Sequence, residues 1–190
     1  KEPVTMPVDI SVASDPASAW LMRFAGLIKP EGRVLEIACG NGRNTRFLKL
    51  CGFHVTAVDV NVPAAHFPEG VDFRQLDLEQ EDWPLTGLAF DAVVGINYLW
   101  RAHWASLWNN LSEGGLFIYE TFTGHQFRRV GKPRSAEHLL GPNELLNLCR
   151  TRGEVVAYEE GLTDAAMSLA RIVVRKGRGE MPESRLYCPR

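Results

Sequence analysis

Apolar positions along this chain follow two different rhythms. Trp20, Leu21, Phe24, Leu27 and Ile28 recur at helical spacing, and Ser14-Asp15-Pro16 ahead of them reads as a helix start, with Ser14 as cap and Pro16 near the first turn. After a break at Pro30 to Gly32 the apolar residues bunch into short runs that predict strands at 34–37, 55–58, 72–76, 90–96 and 116–119. Between them, 45–50 and 102–111 read as helices and 113–115 as a turn. The 90–96 run is apolar almost throughout, as a strand covered on both faces must be. Strand and helix in alternation predict a doubly wound, mostly parallel α/β sheet with right-handed crossovers.

The last third of the chain changes character. Positions 142–149 read as a helix with Asn143 near its start; 155–159 and 168–175 read as strands separated only by 161–164. With no helix between them, those two strands should pair antiparallel, giving seven strands in all. Positions 1–13 are expected to be an N-terminal extension, 14–176 the domain, and 177–190, which lack periodicity, a loosely ordered tail. A length of 190 residues suits one domain.

Charge and cysteine usage narrow the partners. A net charge of −2 excludes a protein built mainly to neutralise nucleic acid or an anionic membrane, which leaves small molecules and proteins. Cys39, Cys51, Cys149 and Cys188 form no CxxC pair and accompany no signal-peptide pattern, so neither a disulfide framework nor a metal site is expected, and the expected compartment is a reducing cytoplasm. No apolar run approaches the roughly 20 residues needed to span a bilayer. Monomer and homodimer are both compatible with this composition.

The chemistry concentrates in VLEIACGNGRNTRFL, positions 34–48, where a strand enters a glycine turn and leaves as a helix. In an open parallel sheet, ligands sit beyond the carboxyl ends of the strands, where strand order reverses. Gly40 and Gly42 allow a sharp bend and a close approach to the main chain, and the helix after the turn presents unpaired N–H groups. A dinucleotide site favours GxGxxG, and here Thr45 stands at the third glycine position; a Walker loop needs GxxxxGK, which Arg43-Asn44 does not supply. Both phosphate readings weaken.

Glu36-x-x-x-Gly40-x-Gly42 after a strand resembles the first motif of the class I S-adenosylmethionine-dependent methyltransferases. Asp59 ends the second strand where that family grips both ribose hydroxyls, and Asp77, in LDLEQEDWP, ends the third where it contacts the adenine amino group. Phe90-Asp91-Ala92-Val93-Val94 matches the fourth strand, LSEGGL at 111–116 the turn into the fifth, and the final hairpin the sixth and seventh. Within the family, GNGRNTRFL, GFHVTAVDVN and YETFTGHQFRRVGKPRSAEHLLGPNELL look most like small bacterial tellurite-resistance-type enzymes.

The resemblance implies S-adenosyl-L-methionine as cofactor and a small-molecule acceptor. It places Glu36, Ala38, Gly40, Gly42, Arg43, Asn44, Asp59, Val60, Asp77, Leu78 and Ile96 around the cofactor, with Arg43 or Arg23 meeting its carboxylate. In-line methyl transfer needs orientation and dryness more than acid–base groups. Over the fourth and fifth strand ends, Tyr98, Arg101, His103 and Glu120 are the catalytic candidates, with Asn97, Thr121 and His125 near them. Arg128, Arg129, Lys132 and Arg134 offer a surface for an anionic acceptor, against the plainer reading of a solvated charge run. Trp100 and Trp104 either pack the core or line an acceptor pocket, Cys39 is a small packing residue, and Asp91 braces the sheet. An S-adenosylmethionine-binding protein without turnover and, less favoured by Thr45, a nicotinamide oxidoreductase are the competing readings.

Overall fold

The computed structural model describes residues 15–177 apart from Ala65 and Glu81. Seven strands form one sheet in the order β3-β2-β1-β4-β5-β7-β6: β1 Arg33–Ile37, β2 His54–Asp59, β3 Asp72–Gln75, β4 Phe90–Ile96, β5 Leu111–Phe122, β6 Gly153–Leu162 and β7 Ser168–Lys176. Strands β1 to β5 pair parallel, and β7 runs antiparallel to both its neighbours. The expected α/β architecture and its closing hairpin are therefore present. Strand order reverses between β1 and β4, which both begin a series running outward from the centre of the sheet.

Period-two alternation sends each central strand's side chains into two separate cores. On one face Leu35, Val93, Phe117 and Tyr119 meet α3 (Trp104–Asn109) and α5 (Glu144–Cys149). On the other face Val34, Val94, Leu116 and Ile118 meet α1 (Ala19–Phe24) and α2 (Arg43–Leu50). Trp104 lies edge-on to Tyr119 with ring centroids 5.0 Å apart, so it is a core residue rather than the wall of an open pocket. Asp91 accepts the Arg33 N–H at 2.8 Å and braces the start of β1.

Several boundaries differ from the sequence expectation. Helix α1 begins at Ala19 with Ser18 as cap; Ser14 lies outside the described residues, as do the expected N-terminal extension and all of the expected tail except Gly177. The late start has a cause: Ser18 is pinned to α2 by Asn44 and to β5 by Glu120, so the chain turns helical only after it. Strand–helix alternation fails twice, because no helix joins β2 to β3 or β3 to β4 among the described residues. The second connection is held instead by Asn110, whose side-chain amide donates to the carbonyls of Leu85 and Leu88, both at 2.7 Å. The helix expected at 102–111 shortens to α3 behind a 3-10 turn, because Leu111 is already paired with Phe90 as the first residue of β5. The expected 113–115 turn is a register shift inside that strand. Asn143 takes φ +55°, which delays α5 to Glu144. Finally, α4 (Gly124–Val130), a 3-10 turn at Ala136–His138 and a loop fill the stretch between β5 and α5.

Gly95 on β4 shows how tightly the inner face is packed. A Cβ there would lie 2.2 Å from the buried Tyr119 ring. Gly95→Ala should lower unfolding free energy by about 1–3 kcal/mol, the cost of overpacking a rigid core, as read from urea denaturation midpoints at unchanged m.

Candidate active site

The β1–α2 turn enters a left-handed backbone three times: Ala38 at φ +50°, Gly40 at +54° and Gly42 at +76°. Two of the three are glycines, for which that conformation carries no Cβ penalty. The turn is fastened from below and from the side. Asp59, at the end of β2, accepts the Gly40 N–H on Oδ2 at 2.8 Å and the Asn61 N–H on Oδ1 at 2.9 Å. Cys39 N–H donates to the Val58 carbonyl at 3.0 Å, and Gly42 N–H to the Cys39 carbonyl at 2.9 Å. A side chain on Gly42 would strike the Phe67 ring at 2.2 Å, whereas the equivalent position on Gly40 meets nothing within 4 Å.

Glu36 lies under this turn, not in a cleft. It is 1% exposed and accepts a 2.5 Å hydrogen bond from the hydroxyl of the fully buried Thr45. Burial pushes its carboxyl up to about 7, partly offset by the hydrogen bond from Thr45. Thr45, which spoils the dinucleotide pattern, is thus the partner that a buried Glu36 requires. Burial likewise pushes the Cys39 thiol up to about 12, as befits a packing residue.

Two clefts open beside the turn. The first, about 410 Å³, is lined by Ala38, Asp59, Val60, Asn61, Leu76, Asp77, Leu78, Glu79 and Tyr98. It gathers the ends of β1, β2 and β3. Asp77 is exposed there, and its carboxyl is held below the usual range by the N–H of Glu79 and the side chain of Gln80. Tyr98 contributes a half-buried ring, and burial raises its hydroxyl. The second cleft, about 500 Å³, runs from Pro16–Ala19 across Arg43, Asn97 and Glu120 to the β6–β7 hairpin. Asn97, at the end of β4, is also left-handed at φ +61° and donates its N–H to the Glu120 carbonyl at 2.7 Å.

Not every candidate belongs to these clefts. Arg101 lines neither; it forks onto Glu144 at 2.5 and 2.9 Å and donates to the carbonyls of Glu137 and Leu139, clamping the β5–α5 stretch to the rim. Glu144 is correspondingly held below its usual range by that guanidinium. His103 is 8% exposed, with Nε2 2.5 Å from the Gln80 carbonyl and its ring 5.2 Å from Trp83. Asn44 faces Ser18, accepting its N–H at 2.9 Å, and Ile96 is buried in the core. Arg43 donates to the Pro16 carbonyl at 2.8 Å from the edge of the second cleft. Arg23 pairs with Glu159 at 2.9 Å on the outer surface, too committed to serve a ligand at the turn. Thr121 is buried on the opposite face of β5 from Glu120, and His125 is exposed beside Arg128.

The structure adds residues that sequence reading missed. Ser18, Leu162, Met167, Leu169 and Arg171 all line the second cleft. Arg171 carried a usable signal: it interrupts the apolar run SLARIVV, and the antiparallel register sets it opposite Glu120.

Residues 12–155 match the model of a family described as a methyltransferase domain. The chain belongs to that family. Solved structures of similar fold include the N-methyltransferase NodS from Bradyrhizobium japonicum WM9, with TM-score 0.60 and 18% identity over 83% of this chain and 94% of NodS. TehB from Haemophilus influenzae gives TM-score 0.63 and 20% identity; the likeness covers 83% of this chain but 61% of TehB. The 1,6-didemethyltoxoflavin-N1-methyltransferase from Burkholderia thailandensis, solved with 1,6-didemethyltoxoflavin and S-adenosylhomocysteine, gives TM-score 0.60 and 20% identity over 83% of this chain and 76% of that one. No curated protein matches the sequence. Among the described residues no helix of this methyltransferase-family chain is long and apolar enough to cross a membrane.

The buried Glu36 gives stability a pH signature. Its carboxyl titrates higher folded than unfolded, so its contribution is complete below about pH 4.5 and is lost as pH rises through about 7. Glu36→Gln keeps an acceptor for Thr45 without the charge. Between pH 4 and 8 its stability should gain on that of the wild type by roughly 3 kcal/mol, in denaturation midpoints followed across pH.

Proposed function

We propose that this protein transfers a methyl group from S-adenosylmethionine to a small-molecule acceptor. One observation carries the reading: the left-handed 38–42 turn, with Asp59 locking Gly40, sits where β1 and β4 diverge and opens on the cleft edged by Asp77. The residues present suit that cofactor. Asp59 and Asp77 put carboxylates where hydroxyls and an amino group can donate, between the apolar surfaces of Val60, Leu78 and Tyr98. Open space at Gly40 admits a ligand against bare backbone. A pyrophosphate suits the site less, because the Gly40 N–H is already given to Asp59, whose negative charge stands beside it.

In this reading the adenosine half occupies the first cleft and the methionine half passes Gly40 toward Arg43 and Asn97. Glu36, Asn44 and Ile96 act from behind, fixing the turn, the chain before α1 and the β4 end. When bound, the cofactor supplies a methyl carbon activated by a sulfonium, which leaves as a neutral thioether. What remains for the chain is to hold the acceptor in line and exclude water. Arg101 and His103 have no direct part in this. Arg128, Arg129, Lys132 and Arg134 lie on α4 and the loop after it, line neither cleft, and give no support to an anionic acceptor.

Calorimetry with S-adenosylhomocysteine tests the reading. Wild-type protein should bind it, and Asp59→Ala should weaken binding by about ten- to a hundredfold, the value of a charge-assisted hydrogen bond. Absent binding at high micromolar ligand, equal binding by Asp59→Ala, or enhanced fluorescence of a reduced nicotinamide on mixing would each sink it.

A further inference from the structure

Building on the methyl-transfer reading, and resting on it, we infer that the second cleft selects an acceptor with an apolar body and one N–H or O–H donor head seated on Glu120. Glu120 is only 6% exposed, yet its carboxylate lines the cleft. Ser18 donates to Oε1 at 3.0 Å and Arg171 reaches Oε2 at 3.4 Å. A carboxylate offers about four lone-pair positions, so these two contacts orient it and leave acceptor capacity free. A buried carboxylate with spare capacity at the base of a cleft calls for a donor.

The walls describe the rest of the molecule. Leu169 forms a buried part of the wall, Pro16 and Ala17 edge the cleft, and Leu162 and Met167 stand at the hairpin rim, 58% and 37% exposed. Large apolar side chains held in water beside a cleft match a ligand that covers them. An oxyanion fits poorly here. Arg171 is shared by Glu120 and Glu159, while Arg43 stands at the cleft edge, donating to the Pro16 carbonyl near Asp15. An anionic ligand seated beside Glu120 would meet its charge with the Arg171 guanidinium already divided between two carboxylates.

The assignment also orders the chemistry. An uncharged amine or hydroxyl head, with one hydrogen donated to Glu120, keeps a lone pair that can point along the cleft toward Asn97 and the turn. That lone pair forms the new bond to the methyl carbon while the carbon–sulfur bond breaks and its electrons stay on sulfur. The proton released by the methylated head leaves to water through the open mouth.

Three probes with one ring and three heads separate the possibilities: phenethylamine, 2-phenylethanol and 3-phenylpropionate, with tellurite as an inorganic oxyanion. Each ring probe is titrated into protein saturated with S-adenosylhomocysteine and followed by saturation-transfer NMR, and tellurite is titrated into the same protein by calorimetry. The amine or the alcohol should bind saturably, and the propionate and tellurite should not. Glu120→Ala should weaken the bound probe about tenfold or more while leaving S-adenosylhomocysteine affinity within about twofold. Should that variant misfold, the exposed pair Leu162→Ser and Met167→Ser reports independently by weakening the same probe. Propionate or tellurite binding as tightly as the amine and alcohol would overturn the inference. So would an unchanged affinity in either variant, or failure of every ring probe on protein that holds S-adenosylhomocysteine. Failure to bind S-adenosylhomocysteine at all would strike instead at the methyl-transfer reading.

Discussion

Asp59 accepting the N–H of Gly40 is the contact on which the site's geometry rests. A backbone that turns left-handed at 38, 40 and 42 has few ways to stay ordered, and Ala38 does so against a steric cost of about 1–2 kcal/mol. The carboxylate ties the middle of that turn to the end of β2. Meanwhile Glu36 and Thr45 tie its two ends together across the interior, and Phe67 fills the space that a side chain on Gly42 would need. The result is a rigid corner of main chain with a carboxylate on its flank. Burying Glu36 to achieve this works against stability near neutral pH, which is the kind of cost found where a backbone must be held in one unusual shape.

The central sheet was legible in the sequence because burial on two faces leaves a plain mark. Strand β4 apart from Asp91, the inner part of β5 and the Val34, Leu35 and Ile37 positions of β1 are apolar, and their side chains enter a core on one face or the other. What could not be read was decided by partners far along the chain. Nothing in the local pattern announces that Asn110 organises the loop before β4, or that Ser18 is held by residues 26 and 102 positions away. The same holds for the α4 stretch, whose sequence shows charge without a strong apolar stripe.

The lining of the first cleft was more legible than that of the second, for a related reason. Asp59, Val60, Asp77 and Leu78 follow strand ends, and the strand end itself delivers them to the rim. Arg101 and His103 also follow a strand end, five and seven positions beyond Ile96, but sequence position says nothing about which way a side chain turns. Arg101 turns toward Glu144, 43 positions on, where it finds a forked partner and two carbonyls; His103 turns inward to the Gln80 carbonyl. Thr45, which counted against a dinucleotide site in the sequence, is also the hydroxyl that satisfies a buried acid.

The two clefts therefore differ in how they are built. One arises from the ends of β1, β2 and β3 with Tyr98 from just beyond β4, so its residues come from a stretch between Ala38 and Tyr98. The other is assembled from the chain before α1, the end of β5 and the β6–β7 hairpin, and Ser18, Glu120, Arg171 and Glu159 join these parts in one polar chain. A substitution in the hairpin, or at the start of α1, changes the second cleft without touching the backbone corner that Asp59 holds. Separation of this kind lets the fold keep one cofactor geometry while the acceptor face is rebuilt. In this chain the proposed acceptor face combines apolar rim residues with one buried carboxylate, and that pairing sets it apart from the charged surface of the 128–134 stretch.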